Sequence, residues 1–192
     1  PVDADIRATG GQMGSYNGWE RANWFAKEGD DTSEESTQTW ERNGPWEQRI
    51  KEEVEAVRDG VGVLDLPGFS RFRLTGEGAA EYLRGMIAGA LPKVGRMNLA
   101  YFADTRGRIL TEMSVMRTGE EEFTLITAAL AQWHDFDVLN KNLPAGLCLT
   151  DHTTEVSTLI VTGPKSRDLF ENVGTDADLS TGWLTHQAAT VA

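Results

Sequence analysis

The chain has 192 residues, of which 40% are hydrophobic and 25% charged, with a formal net charge of −12. That length accommodates one good-sized domain or two small ones. The acidic balance repels a phosphate backbone and argues against nucleic acid as a partner, and no apolar run approaches the roughly 20 residues of a membrane helix. No signal-peptide pattern opens the chain. It starts at Pro1 rather than Met, as expected of a processed or cut N-terminus. Cys148, the single cysteine, sits in the apolar run from Leu147 to Leu149 and reads as a small buried hydrophobe. One cysteine cannot close an internal disulfide, which fits a reducing compartment.

Residues 1–44 are polar, with Gly10, Gly11, Gly14 and Gly18 reading as a flexible, irregular lead-in. Trp19, Trp24 and Phe25 are expected to anchor this segment on another surface, because large aromatics in a loop seek cover. The acidic, hydroxyl-rich stretch from Asp30 to Thr39 reads as an exposed loop.

A second region, 45–192, is periodic. Trp46, Ile50, Val54 and Val57 recur at helical spacing, with Pro45 suited to the first turn and Gly60 to the position after the last. A short strand is expected over Val61 to Leu66. Phe72 and Leu74 alternate with Arg71 and Arg73, predicting a half-exposed strand. A second helix is expected over Glu77 to Ala88. Three strands then follow in a meander: Met97 to Ala103, Ile109 to Arg117, and Glu122 to Thr127, with turns at 104–107 and 118–120. A helix is predicted over Ala128 to Asn142, strands over Leu147 to Thr153 and Val156 to Thr162, and a short helix over Lys165 to Val173. The tail from Gly174 has little pattern. Adjacent strands are joined by links too short for parallel crossovers, so an α+β domain with mostly antiparallel sheets is expected.

Few motifs carry chemistry by themselves. Gly76-x-Gly78 is a fragment of a dinucleotide fingerprint, but its third glycine position holds Glu81. No P-loop is present. His134, His152 and His186 are too far apart in sequence to suggest a metal triad. His134-Asp135 suggests a proton relay only weakly, because adjacent helix residues point away from each other; a surface pair or a cap is the plainer reading.

Five words in order carry a resemblance: Gly18 to Phe25 (GWERANWF), Val61 to Leu66 (VGVLDL), Pro92 to Arg96 (PKVGR), Gly107 to Val115 (GRILTEMSV), and His134-Asp135. Together they resemble the folate-binding region of flavin-dependent dimethylglycine and sarcosine dehydrogenases. From Trp46 onward the chain is also similar, more distantly, to the glycine-cleavage aminomethyltransferase. The resemblance implies a T-protein-like folate-binding fold over 45–192, preceded by the end of a flavin-enzyme region or linker. It implies tetrahydrofolate as cofactor, with FAD only in a flavin domain that lies outside these residues. The implied reaction is capture of an oxidised N-methyl carbon as 5,10-methylenetetrahydrofolate, in the bacterial cytoplasm or the mitochondrial matrix. A stand-alone aminomethyltransferase or folate-dependent demethylase, and a non-catalytic folate-binding module, are the alternatives. Family members continue beyond the position of Ala192 into a loop with a pterin-anchoring acid, so an incomplete folate unit is expected.

The resemblance also nominates residues. A pterin presents N–H donors along one edge, which a carboxylate accepts well. The transferase carries two adjacent acids where this chain has Thr111 and Glu112. Thr111 cannot be a carboxylate base, whereas Glu112 keeps an acid in the second place. Strand alternation means that only one of the two faces a given side. Tyr101, on the preceding strand, is a candidate for stacking on a folate ring. Ala128 stands where the transferase has a channel-lining Asn. Asp65 matches an acid common to both groups and is expected to hold nearby backbone N–H groups. No catalytic residue is assigned, and no metal site.

Overall fold

The computed structural model describes residues 2–16, 18–38 and 40–192. In chain order its elements are α1 (Val2–Ala8), β1 (Gly11–Tyr16), β2 (Trp19–Phe25), α2 (Glu34–Thr37), α3 (Trp46–Asp59), β3 (Gly62–Asp65), β4 (Phe69–Thr75), α4 (Ala79–Arg84), β5 (Met97–Ala103), β6 (Ile109–Gly119), β7 (Glu122–Ala128), α5 (Gln132–Asn140), β8 (Cys148–Asp151), β9 (Leu159–Thr162) and α6 (Ser166–Val173). A single 3₁₀ turn, Ala129–Ala131, leads into α5. Every strand pairing is antiparallel, as the short connections predict.

The chain divides into two compact units. The first comprises residues up to Pro67, Ser157–Thr175 and Val191–Ala192. Its opening segment is not an irregular lead-in: α1 precedes a β1–β2 hairpin, and Trp24 on β2 is 5% exposed while Ile6 of α1 is 8% exposed. The aromatics are therefore strand residues; alternation along β2 turns Trp24 inward. The expected loop at 30–39 holds α2, and its last residue, Thr39, lies outside the described residues. β3 pairs with β9, setting Asp65 opposite Leu159. α3 forms as its periodicity predicts, yet Ile50 and Val54 on its apolar stripe stay exposed. Its two ends close tightly: the Trp46 ring occupies the space a Cβ on Gly44 would need, and the Val57 side chain the space a Cβ on Gly62 would need.

The second unit, Gly68–Val156 with Asp176–Thr190, holds a five-stranded sheet in the order β5-β6-β7-β4-β8. One face of it builds the core. Phe72, Leu74, Phe102, Met113, Val115, Phe123 and Leu125 point to this side and pack with Ala79, Ala80 and Leu83 of α4 and Leu139 of α5. The Tyr82 hydroxyl donates to the Leu139 carbonyl at 2.6 Å and so ties the two helices together. Both helices are shorter than expected. α4 ends at Arg84 because residues 86–88 run along the edge of β5: Ala103 N donates to Met86 O at 3.0 Å and Ala88 N to Tyr101 O at 2.8 Å. Ala128 belongs to β7 rather than to a helix, since it pairs with Phe69.

Two further expectations are corrected. Cys148 is exposed; it lies on β8, an edge strand, and pairs with Thr75 on the face turned away from the core. Arg71, expected half-exposed, is 6% exposed. Its backbone N–H donates to Thr153 Oγ1 at 3.0 Å and its guanidinium to the Phe69 carbonyl at 2.9 Å, so the segment after β8 covers it.

Candidate functional site

The register of β5 against β6 sorts the three nominated residues. Tyr101 pairs with Glu112, and Phe102 pairs with Thr111. Cross-strand partners share a face. Phe102 is fully buried in the core, so the half-buried Thr111 belongs to the helix-covered side. Tyr101 and Glu112 lie together on the opposite side, which no helix of this unit covers. That face also presents Leu99, 59% exposed, with Tyr101 at 45%. The structure thus unites two of the three residues and separates Thr111 from them.

Tyr101 and Glu112 face each other across β5 and β6. The phenol is held above its ordinary pKa, first by its hydrogen bond to the Glu112 carboxylate, then by that carboxylate's negative charge and by partial burial. The neutral phenol donates, leaving further lone pairs of Glu112 open to other donors. The pair therefore offers a carboxylate beside an exposed aromatic surface.

A second polar cluster occupies the helix-covered side. Asp135, on α5, is fully buried. Its carboxylate accepts a hydrogen bond from the Thr127 hydroxyl through Oδ2 and meets His134 Nδ1 at 2.8 Å through Oδ1. Adjacent helix residues were expected to diverge; these two meet because Thr127 draws Asp135 inward at the first turn of α5 while the His134 ring folds back over it. Sequence reasoning weighed His134-Asp135 but missed Thr127, whose role depends on the end of β7 lying beside α5. Ser70 is opposite Thr127 in the sheet and fully buried, and its hydroxyl has no hydrogen-bond partner among the described residues.

His134 lines a groove of about 770 Å³ whose other lining residues include Asp137, Lys141, Met86 and Leu110. The other histidines stand elsewhere. His152 is bracketed by Thr150 Oγ1 at 2.9 Å from Nε2 and Glu155 Oε2 at 2.6 Å from Nδ1. His186 Nε2 donates to the Arg117 carbonyl at 2.9 Å. Among the described residues no group of three or more His, Cys, Asp or Glu side chains could hold a metal ion. Nor is any helix long and apolar enough to cross a membrane.

Gly76 and Gly78 do sit between a strand and a helix, but Gly76 has a packing reason to be glycine. Its φ is +122°, and a Cβ there would lie 2.5 Å from the Gly146 carbonyl oxygen.

Residues 3–192 match the family described as GCVT N-terminal domain. Rat mitochondrial dimethylglycine dehydrogenase is 32% identical over 171 residues, covering 88% of this chain and 20% of the relative. A 4-methylaminobutanoate oxidase (formaldehyde-forming) from Paenarthrobacter nicotinovorans is 32% identical over 177 residues, covering 90% of this chain and 21% of the relative. The chain thus spans about a fifth of the length of these relatives. Among solved structures, the glycine cleavage system aminomethyltransferase T from Bartonella henselae superposes with a TM-score of 0.72 at 18% identity, over 96% of this chain and 45% of that one. That likeness establishes the glycine-cleavage T-protein fold.

Proposed function

This chain belongs to the GCVT N-terminal domain family, and we propose that it is the tetrahydrofolate-binding region of an FAD-dependent dimethylglycine or sarcosine dehydrogenase. Bound tetrahydrofolate would supply the nitrogen nucleophile that takes up the oxidised N-methyl carbon as 5,10-methylenetetrahydrofolate. FAD would reside in a separate flavin domain. The observation that carries the reading is the Tyr101–Glu112 pair on the sheet face opposite the helix-packed core. Glu112 is an acceptor with lone pairs to spare, suited to the N–H edge of a pterin. Tyr101 fixes that carboxylate by hydrogen bonding and, with Leu99, offers an apolar surface to a flat ring. Thr111, on the other side of the sheet, takes no direct part at this surface.

The relatives' names favour the dehydrogenase reading over a stand-alone aminomethyltransferase. Two of them are amine-oxidising enzymes that this chain matches along most of its own length. The mitochondrial location in the first name is compatible with a reducing compartment for this chain. The test is calorimetric titration of 5-formyltetrahydrofolate into the 192-residue chain and into the chain joined to its flavin domain. Saturable binding that Glu112→Gln weakens supports the reading; no binding by either protein overturns it.

A further inference from the structure

The turn that closes β8 sets a hydroxyl, an imidazole and a carboxylate in series. Thr150 Oγ1 lies 2.9 Å from His152 Nε2, and His152 Nδ1 lies 2.6 Å from Glu155 Oε2. An ionised carboxylate only accepts, so Glu155 keeps a ring proton on Nδ1, and the neutral ring then presents Nε2 as its acceptor. Thr150 has one hydroxyl proton to give. Its alternative acceptor, the Arg73 carbonyl, stands at 3.5 Å, where a hydrogen bond is weak, so the nearer Nε2 is the better partner.

Backbone bonds fix this turn. His152 N–H donates to the Arg71 carbonyl at 2.8 Å, Thr153 N–H to Asp151 Oδ1 at 2.9 Å, and Glu155 N–H to the His152 carbonyl at 3.0 Å. The Thr150 side chain is open to solvent, whereas His152 is half-buried. β8 is also an edge strand, and positions in an antiparallel ladder alternate between bonding the neighbour and facing away from it. His152 bonds β4 opposite Arg71, so Thr150, opposite Arg73, does the same, and Asp151 between them turns its N–H to the open edge. The N–H of the residue after a nucleophile is a recurrent oxyanion donor in acyl-transfer sites. Arg73, across from Thr150 on the same face, brings a positive charge; among the described residues its guanidinium bonds Glu122 alone, through Nη2 at 3.1 Å.

We propose that Thr150, His152 and Glu155 form an acyl-transfer site for small, unhindered carboxylic esters. Thr150 Oγ1 attacks the ester carbonyl carbon as its proton passes to His152 Nε2. The carbonyl oxygen takes the negative charge and is met by the Asp151 N–H and the Arg73 guanidinium. The bond to the alcohol oxygen then breaks, the imidazolium returns the proton to that oxygen, and the acyl group stays on Thr150. Water, giving its proton to the same ring, attacks the acyl carbon; the acid leaves and the proton returns to Oγ1. Thr150 and His152 are the catalytic residues, and Glu155 is a positioning residue that acts through the ring. An open strand edge has no deep acyl pocket, which restricts the substrate to small acyl groups. The proposal does not rest on the folate reading, because Glu112 on β6 stands three strands from β8, ~14 Å at the usual strand spacing.

The probe is p-nitrophenyl acetate, mixed in excess with the 192-residue chain carrying Cys148→Ser. That background is needed because the Cys148 thiol is exposed two residues away on the same face and reacts with esters itself. Absorbance follows p-nitrophenolate, and peptide mass spectrometry after an acid quench locates the acetyl group. It should be found on Thr150. Thr150→Val keeps a β-branched strand residue and should abolish this labelling. His152→Ala should slow acylation about 100-fold or more, the lower end for a general base, and millimolar imidazole should restore it. Glu155→Gln should lower kcat and leave KM level, and Glu112→Gln should change neither. Acetyl groups confined to other residues, a rate that Thr150→Val leaves unchanged, or a slow His152→Ala variant that imidazole does not rescue would overturn the proposal. Loss of folate binding with acylation intact would sink the folate reading alone.

Discussion

Replacing Glu112 by Gln keeps the side chain's shape and removes its charge, so it isolates what the carboxylate contributes to folate binding. Hydrogen bonds to charged groups contribute about 1.5–3 kcal/mol net. At 1.4 kcal/mol per tenfold, the dissociation constant for 5-formyltetrahydrofolate should rise about 10- to 150-fold. Tyr101→Phe removes the phenol that orients the carboxylate. Because the two residues are cross-strand partners, the double variant should depart from additivity by about 0.5 kcal/mol or more. Thr111→Ala supplies the control: its partner Phe102 is in the core, so any folate effect should stay within about twofold, the ±0.5 kcal/mol of an uninvolved site. The contact itself can be tested without folate. Glu112 holds the Tyr101 phenol above its ordinary pKa, so Glu112→Gln should bring the tyrosine absorbance titration back down towards the ordinary value of about 10. Unchanged folate affinity in Glu112→Gln, or an equal loss in Thr111→Ala, would refute the assignment of the binding face.

Three further outcomes test the framework around the site. Gly76→Ala places a Cβ against the Gly146 carbonyl in a left-handed conformation; backbone strain alone should cost about 1–3 kcal/mol, read as a lowered denaturant midpoint, and an unchanged midpoint would contradict the close approach. Ser70→Ala deletes a buried hydroxyl that has no described partner, so thermal stability should stay level or rise, and a loss above about 1 kcal/mol would mean that the hydroxyl is paired after all. In the first unit, the Arg49 hydrogen bond, ahead of the Lys27 backbone N–H, lowers Asp30 to about 2. Lys27, Gln48 and Arg49, in that order, lower Glu52 to about 2 as well. Depressed acids stabilise the fold above their unfolded pKa values and lose that contribution as pH falls through the folded ones. Arg49→Met should therefore lower the melting temperature at pH 7, and the gap to wild type should close between pH ~4.5 and ~2; a gap independent of pH would exclude this origin.

The meander of the second unit was legible because its signals are local. Alternation along 97–103, 109–117 and 122–127, broken by Asp104-Thr-Arg-Gly107 and Thr118-Gly119-Glu120, predicts three antiparallel strands, and β5, β6 and β7 form there. Errors arose where tertiary partners decide. Cys148 lies among apolar neighbours in sequence, but an edge strand turns it outward. α4 was read too long, because helical periodicity in residues 85–88 competes with backbone hydrogen bonds to the edge of β5, and those win. Trp24 looked like a loop anchor because the glycines around it suggested irregular chain; hairpin pairing with Gln12 makes it a strand residue. α3 shows the converse, since its amphipathic pattern predicts burial while Ile50 and Val54, in the middle of its apolar stripe, remain exposed.

The candidate sites follow the same logic at the scale of single residues. Thr111 and Glu112 are neighbours that alternation must separate, and the sequence alone cannot say which of them faces the uncovered side. A register irregularity between Phe102 and Ala103 lies next to this pairing, and a shift of one residue exchanges the faces. The pairing of Tyr101 with Glu112 decides it, placing the acid where a ring can reach it. His134 and Asp135 are the opposite case: helical geometry alone separates them, but a hydroxyl at the end of β7 draws one inward and the other follows. In both places the chemistry belongs to a pair, and each pair is selected by a third residue remote in sequence or on another strand: Phe102 for Thr111, Thr127 for Asp135. Substituting that third residue is therefore the sharper test. Thr127→Val keeps the strand and the packing while removing the donor that holds Asp135 Oδ2, so the His134 ring resonances should shift although no residue of the groove has changed. His134 resonances unmoved by Thr127→Val would mean that α5 holds the pair by its own geometry.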